Sequence, residues 1–247
     1  MAEHAKPSPE VFRRRRLFVA GMALVVVIVI AVGISSLFSN PGSISSNTTT
    51  TTSPATSTTT LPVTTTTQDP GTLPQTPTEP PTDNASLQAR LTPLWSAIQT
   101  NSLTLGESVF FPESAYLQMK TGVLTNPAAD YQSRLIAFFA LDLVTYHDYI
   151  GPQQLSVKLE SVNANPQLAS WIAPGTCENK VGYWHLPNIR LVYSKNGSQR
   201  SFGVASLISW RGVWYVVHLG PNPRPSNIGT VDQPATGPGT PGPGGGC

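Results

Sequence analysis

The sequence predicts an α+β fold in which helices come first and an antiparallel sheet follows. Apolar side chains recur at helical spacing between residues 86 and 150, whereas apolar and polar side chains alternate from residue 154 onward. Two tight-turn sequences, Asn196-Gly197 and Arg211-Gly212, separate the last apolar runs. Helices followed by strands are typical of helices packed on one face of an antiparallel sheet. A curved sheet wrapped around a long helix is the simplest arrangement that covers both.

Three helices are predicted, at residues 87–100, 110–119 and 131–149. Asn84 or Ser86 can cap the first helix, and Asp130 can cap the third, because their side chains accept hydrogen bonds from unpaired helical amides. Gly151 and the proline after it end the third helix. Strands are predicted at residues 155–159, 181–185, 189–193, 201–210 and 213–219.

The N-terminal region predicts a single membrane anchor. Residues 17–38 contain no charged side chain, and at about 1.5 Å per residue they span a bilayer core of about 30 Å. Four arginines, residues 13–16, precede this run, so the positive-inside rule places residues 1–16 in the cytoplasm and the rest of the chain outside. A cleaved signal peptide is the alternative, but its apolar core is usually shorter.

Composition separates the remaining chain into a stalk, a domain and a tail. Residues 41–84 hold 17 Thr and 8 Pro, so residues 39–85 are predicted to be a disordered stalk. Residues 86–220 are predicted to form one extracytoplasmic domain. Residues 221–247 contain seven Pro and seven Gly and are predicted to be a disordered tail.

Charge and cysteine content exclude several classes of function. Residues 86–220 carry nine Lys/Arg against seven Asp/Glu, which leaves no basic face for nucleic acid. The chain has only two cysteines, so it has no disulfide framework. Cys177 either pairs with Cys247, links two chains or is a small buried thiol.

The later part of the chain carries two resemblances to known proteins. The segments PGTCENKVGYWHLPNIRLVY, residues 174–193, and SFGVASLISWRGVWYVVHLG, residues 201–220, are similar to a group of uncharacterised, membrane-anchored proteins of actinobacteria. This resemblance implies a Gram-positive envelope and carries no activity. Helices followed by a sheet that ends in W-R-G-x-W-x-V-x-H also resemble the NTF2-like, cone-shaped fold. That fold implies a pocket between a curled sheet and a helix, in enzymes and in binding domains alike.

Asp142 is the residue in the predicted third helix that most invites a functional interpretation. It lies within the broad apolar arc of that helix, and an unpaired buried carboxylate is costly. It is therefore either an acid or base that lines a cavity or a structural acceptor for a Trp, Tyr or Arg donor. Tyr146 lies on the same arc.

Two histidines complete the candidate pocket. His185 and His218 both lie on predicted strands, and His218 shares a strand face with Trp214. Either histidine can pair with Asp142 as a base, or both can be ordinary sheet residues. The histidine spacing does not match that of a metal site, and no cofactor motif is present.

The anchor and the stalk favour a tethered envelope module that binds a protein or a wall component. The alternative is a small NTF2-like enzyme or ligand carrier that uses Asp142 with His185 or His218. Homodimerisation through the open sheet face is compatible with either hypothesis.

Overall fold

The computed structural model describes residues 68–243. The predicted cytoplasmic segment, the predicted membrane helix, the predicted stalk up to residue 67, and Cys247 lie outside these residues. The helices are α1 (Asn84–Thr100), α2 (Leu103–Glu107), α3 (Glu113–Lys120), α4 (Pro127–Asp130) and α5 (Ala137–Ile150). A π-helix, Tyr131–Ile136, joins α4 to α5. Among residues 68–243, no helix combines the length and the apolar character that crossing a membrane requires.

A curved antiparallel sheet follows the helices, so the predicted α+β class is confirmed. The strands are β1 (Lys158–Asn163), β2 (Ser170–Ile172), β3 (Tyr183–Lys195), β4 (Ser198–Trp210), β5 (Val213–His218) and β6 (Ala235–Thr236). The order of the main strands is β1-β3-β4-β5, with β2 paired to β3 and β6 paired to β4. The two predicted runs at residues 181–185 and 189–193 form one strand, β3. The run predicted at residues 155–159 is largely a 3-10 turn, Gln154–Ser156, that leads into β1.

Both predicted hairpin turns are present. Asn196 and Gly197 have φ angles of 51° and 72°, and Arg211 and Gly212 have φ angles of 52° and 76°. Two successive positive φ angles define the type I′ turn, whose twist matches that of the strands it joins. These turns fix the register of β3, β4 and β5, and thereby decide which side chains face the helices.

The core lies between the sheet and the helices α1 and α5. On α1 the buried side chains are spaced three and four residues apart, which is the stripe expected of a helix that covers a sheet: Leu87, Leu91, Leu94 and Ile98. Aromatic rings fill the centre. The ring centroids of Trp95 and Tyr193 lie 5.5 Å apart. Tyr146 contacts Phe202 edge-on, with 4.7 Å between the ring centroids.

The domain is larger than residues 86–220. Residues 69–83, predicted to be stalk, lie along one end of the sheet, where side chains of the domain donate hydrogen bonds to their carbonyls. Residues 221–243, predicted to be disordered, contain β6 and bond to α5 through Arg224 and Asp232. Low-complexity composition predicts disorder because such a segment cannot form its own core, but both segments pack against a core that other residues supply.

Candidate ligand-binding cavity

A cavity of about 360 Å³ opens between the helices and one face of the sheet. Helix α3 contributes Tyr116, Met119 and Lys120, and the π-helix contributes Arg134 and Leu135. The sheet contributes side chains from three adjacent strands: Tyr183 and His185 from β3, Ser206 and Ile208 from β4, and Val217 and His218 from β5. The loop between β2 and β3 closes one side with Cys177, Glu178 and Asn179.

Two local irregularities shape the wall of this cavity. The pairing of β4 with β5 shifts between Ser206 and Leu207, so Val217 is an extra residue in β5. Such a bulge re-aims side chains, and here both Val217 and His218 reach the cavity. Arg134 and Leu135 come from the π-helix, a rare conformation that is frequent at functional sites.

His218 presents an unpaired imidazole to the cavity. Neither of its ring nitrogens has a hydrogen-bond partner among residues 68–243, whereas Nε2 of His185 lies 2.8 Å from the Ser206 hydroxyl. Burial, and to a smaller extent the nearby Arg134 guanidinium, lowers the pKa of His218 to about 4. Burial also lowers the pKa of His185. Both imidazoles are therefore neutral at pH 7.

A polar triad of Tyr116, Asp130 and Arg134 forms the opposite part of the wall. The Arg134 guanidinium donates to both oxygens of Asp130, at 2.8 and 2.6 Å, and to the Tyr116 hydroxyl at 3.0 Å. The Tyr116 hydroxyl donates a short hydrogen bond to Asp130. The hydrogen bond from Arg134 lowers the pKa of Asp130. Burial, together with the bond to Asp130, raises the pKa of Tyr116. The tyrosine therefore stays protonated and the aspartate ionised.

Asn179 presents a further unpaired group. Its side chain is buried, and Nδ2 donates to the Tyr183 hydroxyl at 3.3 Å, while Oδ1 has no partner among the described residues. Reversing the amide exchanges the roles of the two atoms, so one terminal atom stays unpaired in either orientation. The backbone of Asn179 is held by the loop, with its carbonyl accepting from Gly175. The side chain is thus fixed at the cavity wall with hydrogen-bonding capacity to spare.

Asp142, the predicted acid or base, does not line the cavity. Its carboxylate is buried and accepts hydrogen bonds from the amides of Gly220 and Thr230, at 3.0 and 3.1 Å. Arg224 binds it through both terminal nitrogens, at 2.7 and 3.0 Å. The structural alternative for Asp142 is therefore correct, and the hypothesis that it pairs with His185 or His218 is wrong. The sequence did not identify Arg224 as the partner of Asp142, because Arg224 lies in the segment predicted to be disordered.

The other candidate residues also have structural roles. The Tyr146 hydroxyl bonds to the carbonyls of Gly203 and Leu219 and accepts from the Asp232 amide at 2.9 Å. The Trp214 indole donates to the Pro81 carbonyl at 2.9 Å. Cys177 lines the cavity and is not a free thiol, so the buried-thiol alternative is wrong. Of the five predicted pocket residues, only His185 and His218 belong to the cavity.

The residues that face these histidines were not predicted from the sequence. The spacing of Asp130 and Arg134, four residues apart, is typical of a helical ion pair and was a usable signal. Tyr116 and Asn179 have no sequence signal, because only the packing of α3 and of the β2–β3 loop against the sheet brings them together. Residues 68–243 contain no cluster of His, Cys, Asp or Glu that could hold a metal ion.

Comparison with known proteins gives no match to a family model, to a curated protein or to a solved structure. The geometry of the cavity is therefore the basis on which a function can be proposed.

Proposed function

We propose that this protein is a membrane-tethered, extracytoplasmic domain of the cell envelope that binds a small amphipathic molecule in its cavity, within an NTF2-like cone. The anchor predicted at residues 17–38 supports the tether. The order of helices and curved antiparallel strands supports the cone. A concave, partly apolar site with a few convergent polar groups is the usual form of a small-ligand site, and about 360 Å³ is adequate for a small molecule.

The observation that carries this proposal is the unsatisfied polar wall. Buried polar atoms in folded proteins are nearly always paired, so the unpaired terminal amide atom of Asn179 is unusual. The half-buried His218 also has no hydrogen-bond partner among residues 68–243 and lines the cavity. Leaving a buried polar atom unpaired costs about 1–3 kcal/mol. A ligand that bonds to the Asn179 amide or to His218 gains hydrogen bonds that the described residues do not supply to these groups. Apolar side chains supply the rest of the lining, including Met119, Leu135 and Ile208. A ligand with one polar part and one apolar part matches both the polar groups and the apolar side chains of this lining.

The charges of the wall restrict the polar part of the ligand. The imidazoles of His185 and His218 are neutral, and Arg134 is paired with Asp130. The Lys120 ammonium group adds a positive charge to the wall, where it donates to the carbonyls of Cys177 and Glu178. Guanidinium groups near His218 disfavour a positive charge at that place. We therefore expect the ligand to present a neutral hydrogen-bonding group or a partial negative charge to His218.

Binding is favoured over acid–base catalysis. A general acid or base works best when its pKa lies near the working pH. In this cavity the pKa of His218 is far below neutrality, and that of Tyr116 is raised above its ordinary value. Asp142, the carboxylate of the enzyme hypothesis, is saturated with hydrogen bonds outside the cavity.

A fragment screen tests the proposal. We expect ligand-observed NMR with the full chain in detergent to find small amphipathic fragments that bind at a single site. Leu124→Trp places a large ring in the cavity and should abolish binding, because Leu124 lines it. Val144→Trp, on an exposed position of α5, is the matched control and should leave binding unchanged. Fragments that bind Leu124→Trp as well as the parent chain would contradict a ligand site in this cavity.

A further inference from the structure

A proline-rich segment crosses one end of the sheet. We call residues 69–83 the strap; they include five prolines and lead directly into α1. Apart from a 3-10 turn at Pro70–Thr72, the strap has no regular hydrogen-bonded structure of its own. Its backbone carbonyls must therefore be satisfied by the domain or by solvent.

Three tryptophan indoles satisfy carbonyls of the strap. Trp210 donates to Pro70 at 3.0 Å, Trp184 donates to Pro77 at 2.9 Å, and Trp214 donates to Pro81 at 2.9 Å. One side chain of the strap in turn forms hydrogen bonds with the backbone of the sheet. Gln75 donates to the Ser209 carbonyl at 2.9 Å and accepts from the Arg211 amide. Aromatic donors that bind the carbonyls of an extended proline-rich chain are a recurring mode of peptide recognition, and here the bound peptide belongs to the same chain.

The first turn of the strap contacts α3. Nε2 of Gln118 donates to the carbonyls of Gly71 and Leu73, and the Ser114 hydroxyl donates to the Asp69 carboxylate at 2.6 Å. The approach is close, because a Cβ on Gly71 would lie 2.7 Å from the amide nitrogen of Ala115. Any side chain at position 71 would displace the strap from α3.

Helix α3 therefore has two occupied faces. Ser114 and Gln118, four residues apart, face the strap, while Tyr116, Met119 and Lys120 line the cavity. The helix has only eight residues, too few to be stable by itself, so its position depends on what it packs against. The strap supplies the contacts on the side away from the cavity.

We propose that the strap is a positioning element for the cavity: its attachment to the tryptophans and to Gln118 holds α3 where Tyr116 and Met119 complete the wall. This inference deepens the proposed function and rests on it for the ligand. Because the strap is the part of the domain nearest the predicted anchor in sequence, it also links the tether to the cavity.

The test uses two strap variants and a matched control. Gln118→Leu removes the two bonds to the strap with little change in size, and Trp184→Phe removes one indole donor from a half-buried position. Gln99→Leu is the control, because Gln99 also donates to two carbonyls, those of Gln154 and Val157, both at 2.9 Å, and does not line the cavity.

Two readouts separate the positioning role from ligand binding. The chain has three methionines, and Met119 is the one within the described residues, so its methyl NMR signal reports on the cavity wall without a ligand. Both strap variants should shift or broaden that signal, and the control should not. With anilinonaphthalene sulfonate as the fluorescent probe, Trp184→Phe should bind about fivefold more weakly than the parent, as expected for the loss of about one net hydrogen bond. Gln118→Leu, which loses two bonds, should weaken binding by at least as much.

The outcomes are distinct. A Met119 signal that is unchanged in both strap variants overturns the positioning role, whatever the probe does. A parent chain that binds neither the probe nor any fragment contradicts the proposed function, and the Met119 signal still decides the role of the strap. An equal shift in the Gln99 variant would show general loosening of the fold and would also overturn the inference.

Discussion

His218 shows how one side chain acquires unusual properties from its surroundings. It ends β5 next to a bulge and faces a cavity without a hydrogen-bond partner among residues 68–243. Burial and the nearby Arg134 favour its neutral form, so its pKa falls to about 4 from an ordinary value of 6.5. The unfolded chain then binds a proton more readily than the folded chain between those two values, and stability falls as the pH is lowered through this range.

We predict that His218→Gln flattens this pH dependence. In the parent chain the unfavourable contribution of His218 is absent above pH 6.5 and complete below about pH 4, where it amounts to roughly 3 kcal/mol. Gln does not titrate, so the variant should lose less stability on acidification. Urea unfolding at pH 7 and at pH 5 measures the difference. An identical loss of stability in both chains would show that His218 is protonated in the folded state at pH 5.

Asp142 illustrates a buried charge that is retained for structural reasons. Four donors surround its carboxylate, and two of them belong to the Arg224 guanidinium, which also contacts the Phe138 ring at 4.4 Å. Removing one partner of such a pair leaves the other charge buried and unpaired.

We predict that Asp142→Asn destabilises the protein by about 3–5 kcal/mol, because it leaves Arg224 without its counter-charge. Chemical unfolding at pH 7 measures the change. The double variant with Arg224→Met should cost less than the sum of the two single variants, because neither charge is then left alone. Strictly additive effects would mean that the two side chains do not interact in solution.

At the scale of elements, residues 221–243 act as a closing segment of the domain. They supply Arg224 to Asp142, the Asp232 amide to Tyr146, and β6 to the edge of β4. All three contacts fasten helix α5 or the sheet edge, so the segment belongs to the folded unit.

Ending the chain after Gly220 is therefore expected to destabilise the domain strongly. Loss of the Arg224 partner alone leaves the Asp142 charge buried, and the unpaired edge of β4 adds to the cost. We expect the midpoint of thermal unfolding to fall by about 10 °C or more. Circular dichroism measures it, with Arg224→Met as the reference for the ion pair alone. A truncated chain as stable as the parent would contradict the packing of this segment.

At the scale of the whole molecule, the proposed tether depends on residues 17–38. The anchor proposal requires residues 17–38 to stay attached to the mature chain. We expect the full chain to remain with membranes after carbonate washing and a chain that begins at residue 39 to be released. Mass spectrometry of the membrane-bound protein should find residues 1–16. A mature N-terminus downstream of residue 38 would instead establish a cleaved signal peptide.

Much of the secondary structure could be predicted from local patterns. The stripe of α1 and the long β4 depend on side-chain spacing, and the two type I′ turns depend on the backbone preferences of the Asn-Gly pair and of Gly212. The short strands β2 and β6 were not predicted, because each has only two or three residues and forms by pairing with a longer strand. The 3-10 turn before β1 was not predicted either, because the alternating side chains around it are typical of a strand.

The sequence by itself determined the α+β class of the domain. It also determined that His185 and His218 lie on strands of the sheet. Tertiary structure alone decided what those histidines face. Helix α3, the π-helix and the β2–β3 loop approach the sheet from distant parts of the chain and bring Tyr116, Arg134 and Asn179 to one cavity. Tertiary structure also decided the roles of Asp142 and of the strap, because their partners, Arg224 and the three tryptophans, are more than 80 residues away. Spacing along the chain specifies neighbours within an element, whereas contacts between elements depend on how the whole core packs.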